Sequence, residues 1–436
     1  MRRYSTFFEL IKSQNQDSIA FKYFQKNVIL SLTYGELLKR VLDYSIPSEN
    51  VIGIFAKTDV ETIISIFALA GKKQIVLLNP DDNISILQEQ VNKANVSLLL
   101  GDKERCEELS SYLNEDKSIT STDILFFTSG TTSSSKAVVL TEESLCNATY
   151  NGGYLLPLTS DDNLLSLLPL SHVYGFVCAL LWPLSFGATV SLNRGLTYIF
   201  FDFNEFKPTA TTLVPQMAAF LATKNLFNPE LKLILIGAGD CSNEILNLIT
   251  SLGIRVSFGY GLTETSSGIA LSLNAGDKGM TVCPDYTVDI AKDSEIIVTS
   301  STTLMKGYYK DKESTKKVLN GTTFKTGDLG KFENGLLYII GRKKDILVLD
   351  DGTKIFIPEF EGKLAKLLGL NADFTILQDK DGKVVLYIFT GENVDSKVDQ
   401  FNEDLPRGMR ITRVIYSRTK LPRTKTNKVK KYLIKV

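Results

Sequence analysis

Apolar runs of strand length alternate with stretches of helical spacing over most of the chain. Residues 51–55 and 74–78 are nearly continuous apolar runs, and residues 60–70 between them place apolar side chains on one helix face. A strand–helix–strand unit is predicted there. Further short apolar runs occupy 164–168, 188–192, 211–214, 231–236 and 256–258, most of them separated by helical stretches. Runs without polar alternation read as strands covered on both faces. The pattern therefore predicts an α/β architecture with mainly parallel sheets.

From Met280 to Ile340 the texture changes. Short alternating runs, broken at Lys292-Asp293 and Asn334-Gly335, predict a small antiparallel β subdomain over about 280–340. After Asp345 the pattern predicts a compact α+β unit. Pro358 stands where a first helical turn tolerates proline, with Glu359 and Glu361 near the positive end of the helix dipole. Phe360, Leu364, Leu367 and Leu368 then form one apolar face. Asp379 to Gly382 turns a hairpin between runs at 374–377 and 384–389. The most hydrophobic segment, 176–192, contains Pro183 and Gly187, so a buried core element is predicted there rather than a membrane span.

Composition narrows the function classes. The 436 residues, 44% of them hydrophobic, suffice for two or three domains with sizeable cores. Lys+Arg and Asp+Glu both number 49, so no global field recruits nucleic acid or a membrane surface. Cys106, Cys146, Cys178, Cys241 and Cys283 show no CxxC spacing and read as buried, reduced thiols of a cytoplasmic protein. His172 is the only histidine, which excludes a His-rich metal site. The start, Met1-Arg2-Arg3, is basic, but no long apolar run follows, so no signal peptide is expected.

The most informative stretch is an apolar run, Ile124 to Phe127, that feeds Thr128, Ser129, Gly130, Thr131, Thr132, Ser133, Ser134, Ser135 and Lys136. Hydroxyls and backbone N–H groups donate to phosphate oxygens, and the lysine adds a point charge. The loop is not a Walker A motif: Ser135 replaces its second glycine, and Ala137 replaces the hydroxyl residue after the lysine. The apolar residues 137–140 read as a second strand, so a hairpin tip is expected rather than a helix start. A helix should begin later, with Thr141 as N-cap and Glu142 and Glu143 in its first turn. Taken alone, the loop also reads as a Ser/Thr-rich surface turn.

The loop resembles the signature T-S-G-T-T-G-x-P-K-G of the adenylate-forming superfamily, which contains acyl-CoA synthetases, luciferases and peptide-synthetase adenylation domains. Other motifs follow in that family's order. Pro169-Leu170-Ser171-His172-Val173-Tyr174-Gly175 is similar to its aromatic-gate segment, and Gly259-Tyr260-Gly261-Leu262-Thr263-Glu264-Thr265 to its adenine and magnesium motif. Lys325-Thr326-Gly327-Asp328 resembles the ribose motif and Gly341-Arg342-Lys343-Lys344-Asp345 the hinge. Leu421-Pro422-Arg423-Thr424-Lys425-Thr426-Asn427-Lys428 resembles the C-terminal lysine motif. These motifs span residues 126–428.

The resemblance implies an N-terminal AMP-binding domain over 1–343 and a small mobile lid over 344–436, hinged at Lys344. Thr128, Ser129, Gly130, Thr131, Thr132 and Lys136 would hold the polyphosphate. Tyr260, with Gly261 allowing close approach, would stack on adenine, and Gly237-Ala238-Gly239 would form the second adenine wall. Asp328 would accept from both ribose hydroxyls, and Arg342 would contact ribose or phosphate. Thr263 would bond the α-phosphate, and Glu264 would hold magnesium, which favours one or two carboxylates. His172 would gate the acid site. Lys428 would stabilise the pentavalent phosphorus. It lies within a tail, Arg407 to Val436, that has eleven Lys/Arg and no Asp/Glu; charge facing ATP and the CoA phosphates explains that run better than nucleic acid does.

There are departures. Ser133, Ser135 and Ala137 stand where the family has Gly, Pro and Gly, and Asn427 precedes Lys428 in place of glycine. The expected function is an ATP- and Mg2+-dependent ligase that converts a carboxylic acid, fatty or similarly apolar, to acyl-AMP. It would then pass the acyl group to CoA or to the phosphopantetheine of an acyl-carrier protein. An aryl- or succinylbenzoate-type CoA ligase, a non-catalytic nucleotide sensor and a luciferase-like oxidase remain open alternatives.

Overall fold

The computed structural model describes residues 2–114, 121–128, 135–239, 241–273, 278–349, 353–369, 372–423, 429 and 431–434. The predicted strand–helix–strand unit is present as Val51–Phe55, Val60–Leu69 and Gln74–Leu78. Both strands are buried along their whole length, which is why their sequence carries no polar alternation. Asp59 starts the helix by accepting the Thr62 N–H. These strands pair in parallel inside a six-stranded sheet ordered Gly307–Tyr308, Lys136–Leu140, Ile124–Thr128, Gln74–Leu78, Val51–Phe55, Leu98–Leu100.

A nine-stranded sheet carries the other apolar runs. Its order is Thr281–Val282, Ser267–Ser272, Arg255–Leu262, Leu233–Gly237, Ala210–Leu213, Asn163–Ser166, Thr189–Leu192, Ile19–Gln25, Val28–Thr33. The six strands from Arg255–Leu262 to Ile19–Gln25 are parallel, and antiparallel strands extend both edges. The run expected at 256–258 is longer than predicted. The Gly259-Tyr260-Gly261 motif continues the strand because it pairs antiparallel with Ser267–Ser272.

One core joins the two large sheets. Ile54, Leu77 and Phe126 of the six-stranded sheet belong to the same buried cluster as Phe21, Val190 and Ile269 of the nine-stranded sheet. The predicted core element 176–192 packs helix Val173–Phe176, a π-helical turn Val177–Leu181 and helix Trp182–Leu184 into this core and then enters the nine-stranded sheet as strand Thr189–Leu192. Phe176 packs on Phe7 and Phe126 with ring centroids 5.7 and 5.6 Å apart. Among the described residues no helix is long and apolar enough to cross a membrane. Cys146, Cys241 and Cys283 are buried free thiols, whereas Cys106 and Cys178 are only half-buried.

The antiparallel texture of 280–340 is a five-stranded sheet of Thr287–Ile290, Glu295–Thr299, Thr323–Glu333, Leu319–Asn320 and Leu336–Arg342. A two-way backbone bridge between Met280 and Leu337 ties it to the larger body. The smaller C-terminal domain packs helices Ile357–Leu368 and Asp395–Glu403 on strands Asp373–Gln378, Val384–Phe389 and Ile411–Tyr416. Its core holds Phe360, Leu364 and Leu368 of the predicted apolar face, with Leu367 at the margin. Pro358 lies in the first helical turn, as expected.

Candidate active site

The candidate residues gather where strands of the two large sheets end. In open α/β sheets, ligands bind in the crevice outside the carboxyl ends of the strands. Ile124–Thr128 and Lys136–Leu140 form the predicted hairpin, with Thr128 opposite Lys136. Ser129, Gly130, Thr131, Thr132 and Ser133 lie outside the described residues. At the hairpin base the Thr128 hydroxyl donates to the Lys136 carbonyl at 3.4 Å. Thr141 caps the next helix, Glu142–Leu155, as predicted.

Tyr308 links the hairpin to Glu264. It lies on Gly307–Tyr308, which pairs with Lys136–Leu140. Lys136 Nζ stands 4.3 Å from the Tyr308 ring centroid, and the Tyr308 hydroxyl donates to Glu264 Oε1 at 2.8 Å. Burial first, and Glu264 next, raise the Tyr308 phenol, so it remains a donor. The backbone carbonyl of Glu264 accepts from the Met305 N–H at 2.8 Å. Sequence reasoning missed Tyr308. A two-residue strand leaves no periodic signal, and its role depends on joining a hairpin 170 residues earlier in the chain.

Gly261 makes the turn to Glu264 possible. A Cβ there would lie 1.8 Å from the Ser267 carbonyl oxygen, so only glycine fits the bulge between Tyr260 and Gly261. Thr263 and Glu264 follow at once in a 3₁₀ turn. Among the described residues no three His, Cys, Asp or Glu side chains cluster to hold a metal. Glu264 is a hard carboxylate ligand, of the kind that magnesium takes one or two of.

Asp328 sits on Thr323–Glu333 and is 4% exposed. Tyr260 donates its hydroxyl to Asp328 Oδ2, and Arg342 Nε lies 3.0 Å from Oδ1; each contact is 3.0 Å long. Asp328 and Arg342 are cross-strand partners. Burial raises the Asp328 carboxyl above the ordinary aspartate value, and Arg342 and Tyr260 oppose that rise. A carboxylate offers about four acceptor sites, so two remain for a vicinal diol. The preceding turn is fixed separately: Glu295 accepts from the Gly327 N–H and from Lys343 Nζ, both at 3.0 Å.

The second predicted wall, Gly237-Ala238-Gly239, ends the strand beside this motif, with Gly237 opposite Gly259. Ala238 adopts a left-handed φ of 64°. A Cβ on Gly237 would lie 2.7 Å from the Tyr174 ring, so Tyr174 packs directly on the strand end. Its hydroxyl donates to the Leu235 carbonyl at 2.8 Å, with that of Leu213 3.2 Å away. His172, two residues earlier, is exposed and feels the charge of Asp82, beyond the end of Gln74–Leu78. The gate segment therefore bridges both sheets.

A cavity of about 330 Å³ lies beside Glu264 and Tyr308, with Thr326, Gly327 and Lys343 also in its walls. A larger, shallow groove near Glu36 and Arg40 contains none of the candidate residues, and its Arg40 is paired with Glu61. Lys344 is exposed in the 3₁₀ turn Lys343–Asp345, and its charge reaches Asp328. Lys428 lies outside the described residues.

A family model for AMP-binding enzymes matches residues 8–309. The chain belongs to the AMP-binding enzyme family. Among curated relatives, the 2-succinylbenzoate–CoA ligase of Bacillus licheniformis is 25% identical over 90% of this chain and 91% of its own. Among solved structures, the O-succinylbenzoate coenzyme A synthetase of Bacillus subtilis in complex with AMP superposes with a TM-score of 0.83 at 22% identity, covering 100% of this chain and 99% of that one. The same enzyme with ATP and a magnesium ion gives 0.82 at 21% identity, covering 99% of each chain. These relatives are named for an aryl keto acid, so the expected fatty acid finds no support among them, and the succinylbenzoate-type alternative does.

His172 supplies a direct test of the gate geometry. Although part of its surface stays accessible, the protein atoms crowded around the imidazole lower its pKa from the ordinary 6.5, and Asp82 only partly opposes this. A lowered folded-state pKa means that protonation is resisted, so this group costs stability as pH falls below the unfolded value. As the only histidine, it gives one imidazole resonance by NMR. The titration midpoint should lie below 6.5 and move up to the ordinary value on unfolding; a midpoint above 6.5 in the folded protein would contradict the placement.

Proposed function

We propose that this chain joins 2-succinylbenzoate, or a closely similar aryl keto acid, to CoA through an acyl-AMP intermediate. A carboxylate oxygen attacks the ATP α-phosphorus and pyrophosphate leaves. The CoA sulfur then attacks the acyl carbonyl carbon, AMP leaves and the thiol proton passes to solvent. The observation that carries the reading is the joined pair of clusters: Tyr260–Asp328–Arg342 for the nucleoside, and Lys136–Tyr308–Glu264 for the phosphates. Glu264 would hold a magnesium ion, which would neutralise charge on the departing pyrophosphate. Thr263, at the turn between the clusters, suits an α-phosphate contact.

The identity of the acid rests on its polarity. Ser166, Ser171 and Thr212 carry buried hydroxyls without a hydrogen-bond partner among the described residues. Ser171 adjoins His172, and the other two lie on adjacent strands, Asn163–Ser166 and Ala210–Leu213. Buried hydroxyls cost free energy when unsatisfied. Polar groups of this kind favour an acid with further polar atoms over one with a hydrocarbon tail. The relatives' names point the same way.

ATP–pyrophosphate exchange across a panel of acids tests this. With 2-succinylbenzoate, kcat/KM should exceed that with medium- and long-chain fatty acids by about a hundredfold, as expected where a site's polar groups are left unpaired by the poorer substrate. A fatty-acid preference would reverse the assignment of the acid. Absence of exchange with every acid would favour a nucleotide sensor.

The two-domain cycle is the second part of the proposal: a lid over 344–436 turns at Lys344 and delivers Lys428 for adenylation only. Lys428→Ala should then lower acyl-AMP formation by ~10²–10³ while sparing thioester formation from supplied acyl-AMP. Single-turnover measurements of each half-reaction would show this. Equal losses in both would contradict it.

A further inference from the structure

We infer that Lys93 is a positioning residue for the phosphate hairpin: its ammonium grips the Ser135 carbonyl and sets the peptide that presents Lys136. This deepens the proposed nucleotide chemistry and rests on it. Lys93 lies in the last turn of helix Ile84–Ala94. That helix is anchored by Leu87, Val91 and Ala94 in a core that also contains Phe127 and Ala137 of the hairpin strands. The base of the lysine is thus fixed to the same core as the hairpin. Its Nζ reaches the Ser135 carbonyl oxygen at 2.5 Å across 42 residues of sequence, in a partly buried setting. Bonds of this kind, between an ammonium and a carbonyl, are shorter and stronger than neutral ones.

The gripped atom matters because of its place. Thr128 and Lys136 are the last cross-strand pair, so Ser135 is the first residue beyond the ladder. Its carbonyl belongs to the peptide plane that leads into Lys136, and holding it holds the start of the strand carrying the phosphate lysine. A proline at 135 would lock φ through its ring; serine leaves that rotation free, and an ammonium on the carbonyl restrains the neighbouring peptide instead. A second contact places the two lysines together. The Asp311 carboxylate, which caps helix Lys312–Val318 by accepting the Ser314 N–H at 2.9 Å, lies within electrostatic reach of both Lys136 and Lys93.

Calorimetric binding of ATP and of AMP to the full chain separates this role from a merely structural one, because AMP lacks the phosphates that reach the hairpin. Lys93→Met should weaken ATP about tenfold, the loss of one charge-assisted hydrogen bond, and leave AMP unchanged. Lys93→Arg, which keeps a cationic donor, should stay within about twofold of wild type for both nucleotides. Unchanged ATP affinity in Lys93→Met, or equal losses for ATP and AMP, would overturn the role. Failure of the wild type to bind AMP would overturn the nucleotide site itself, so the two readings fail differently.

Discussion

A buried carboxylate holds the site together. Asp328 receives Tyr260 from the nine-stranded sheet and Arg342 from its own antiparallel partner strand. An unpaired carboxylate at that depth would cost several kcal/mol, and breaking one side of such a pair typically costs about as much. Two donors offset the cost only if both sheets stand in the right relative position. The bonds that permit the charge to be buried therefore also set the distance between Tyr260 and Asp328. The same strand leads through the bulge at Gly261 to Glu264, whose carboxylate is held by Tyr308 under Lys136. The Tyr260–Asp328 and Glu264–Tyr308 clusters are consequently linked by one short stretch of backbone.

Strand ends supply the rest. Gly237, opposite Gly259, lets Tyr174 lie on the sheet, and Tyr174 closes on two strand carbonyls. The gate segment then enters a π-helical turn that is buried between the sheets. Such turns are rare and recur at functional sites. Their wider winding fits a segment that must meet strand ends at one side and the Phe7–Phe126–Phe176 aromatic core at the other.

Much of this was legible in the sequence, for physical reasons. Val51–Phe55 and Gln74–Leu78 are fully buried, so their pattern is unambiguous, and Thr141 and Pro358 mark helix starts by chemistry that needs no tertiary context. Tyr260, Asp328, Arg342, Glu264 and Lys136 stand in the family's motif order along the sequence, and the fold brings them into two linked clusters. Contacts made across long separations were not legible. Tyr308, Glu295 and Lys93 act through partners 44, 32 and 42 residues away, and nothing local in their surroundings marks them. Nor were the unpartnered hydroxyls of Ser166, Ser171 and Thr212 legible, since they emerge only once the chain is packed.

The central claim is that Asp328 is a ribose acceptor held ready by Tyr260 and Arg342. Calorimetry of AMP and of 2′,3′-dideoxy-AMP with wild type and Asp328→Ala tests it most directly, with circular dichroism to verify the fold. Wild type should bind AMP about tenfold to a hundredfold more tightly than the variant, the worth of a charged hydrogen bond, and the two proteins should bind the dideoxy analogue alike. A correctly folded variant that binds AMP as tightly as wild type would show that Asp328 only joins the sheets, and would contradict the account.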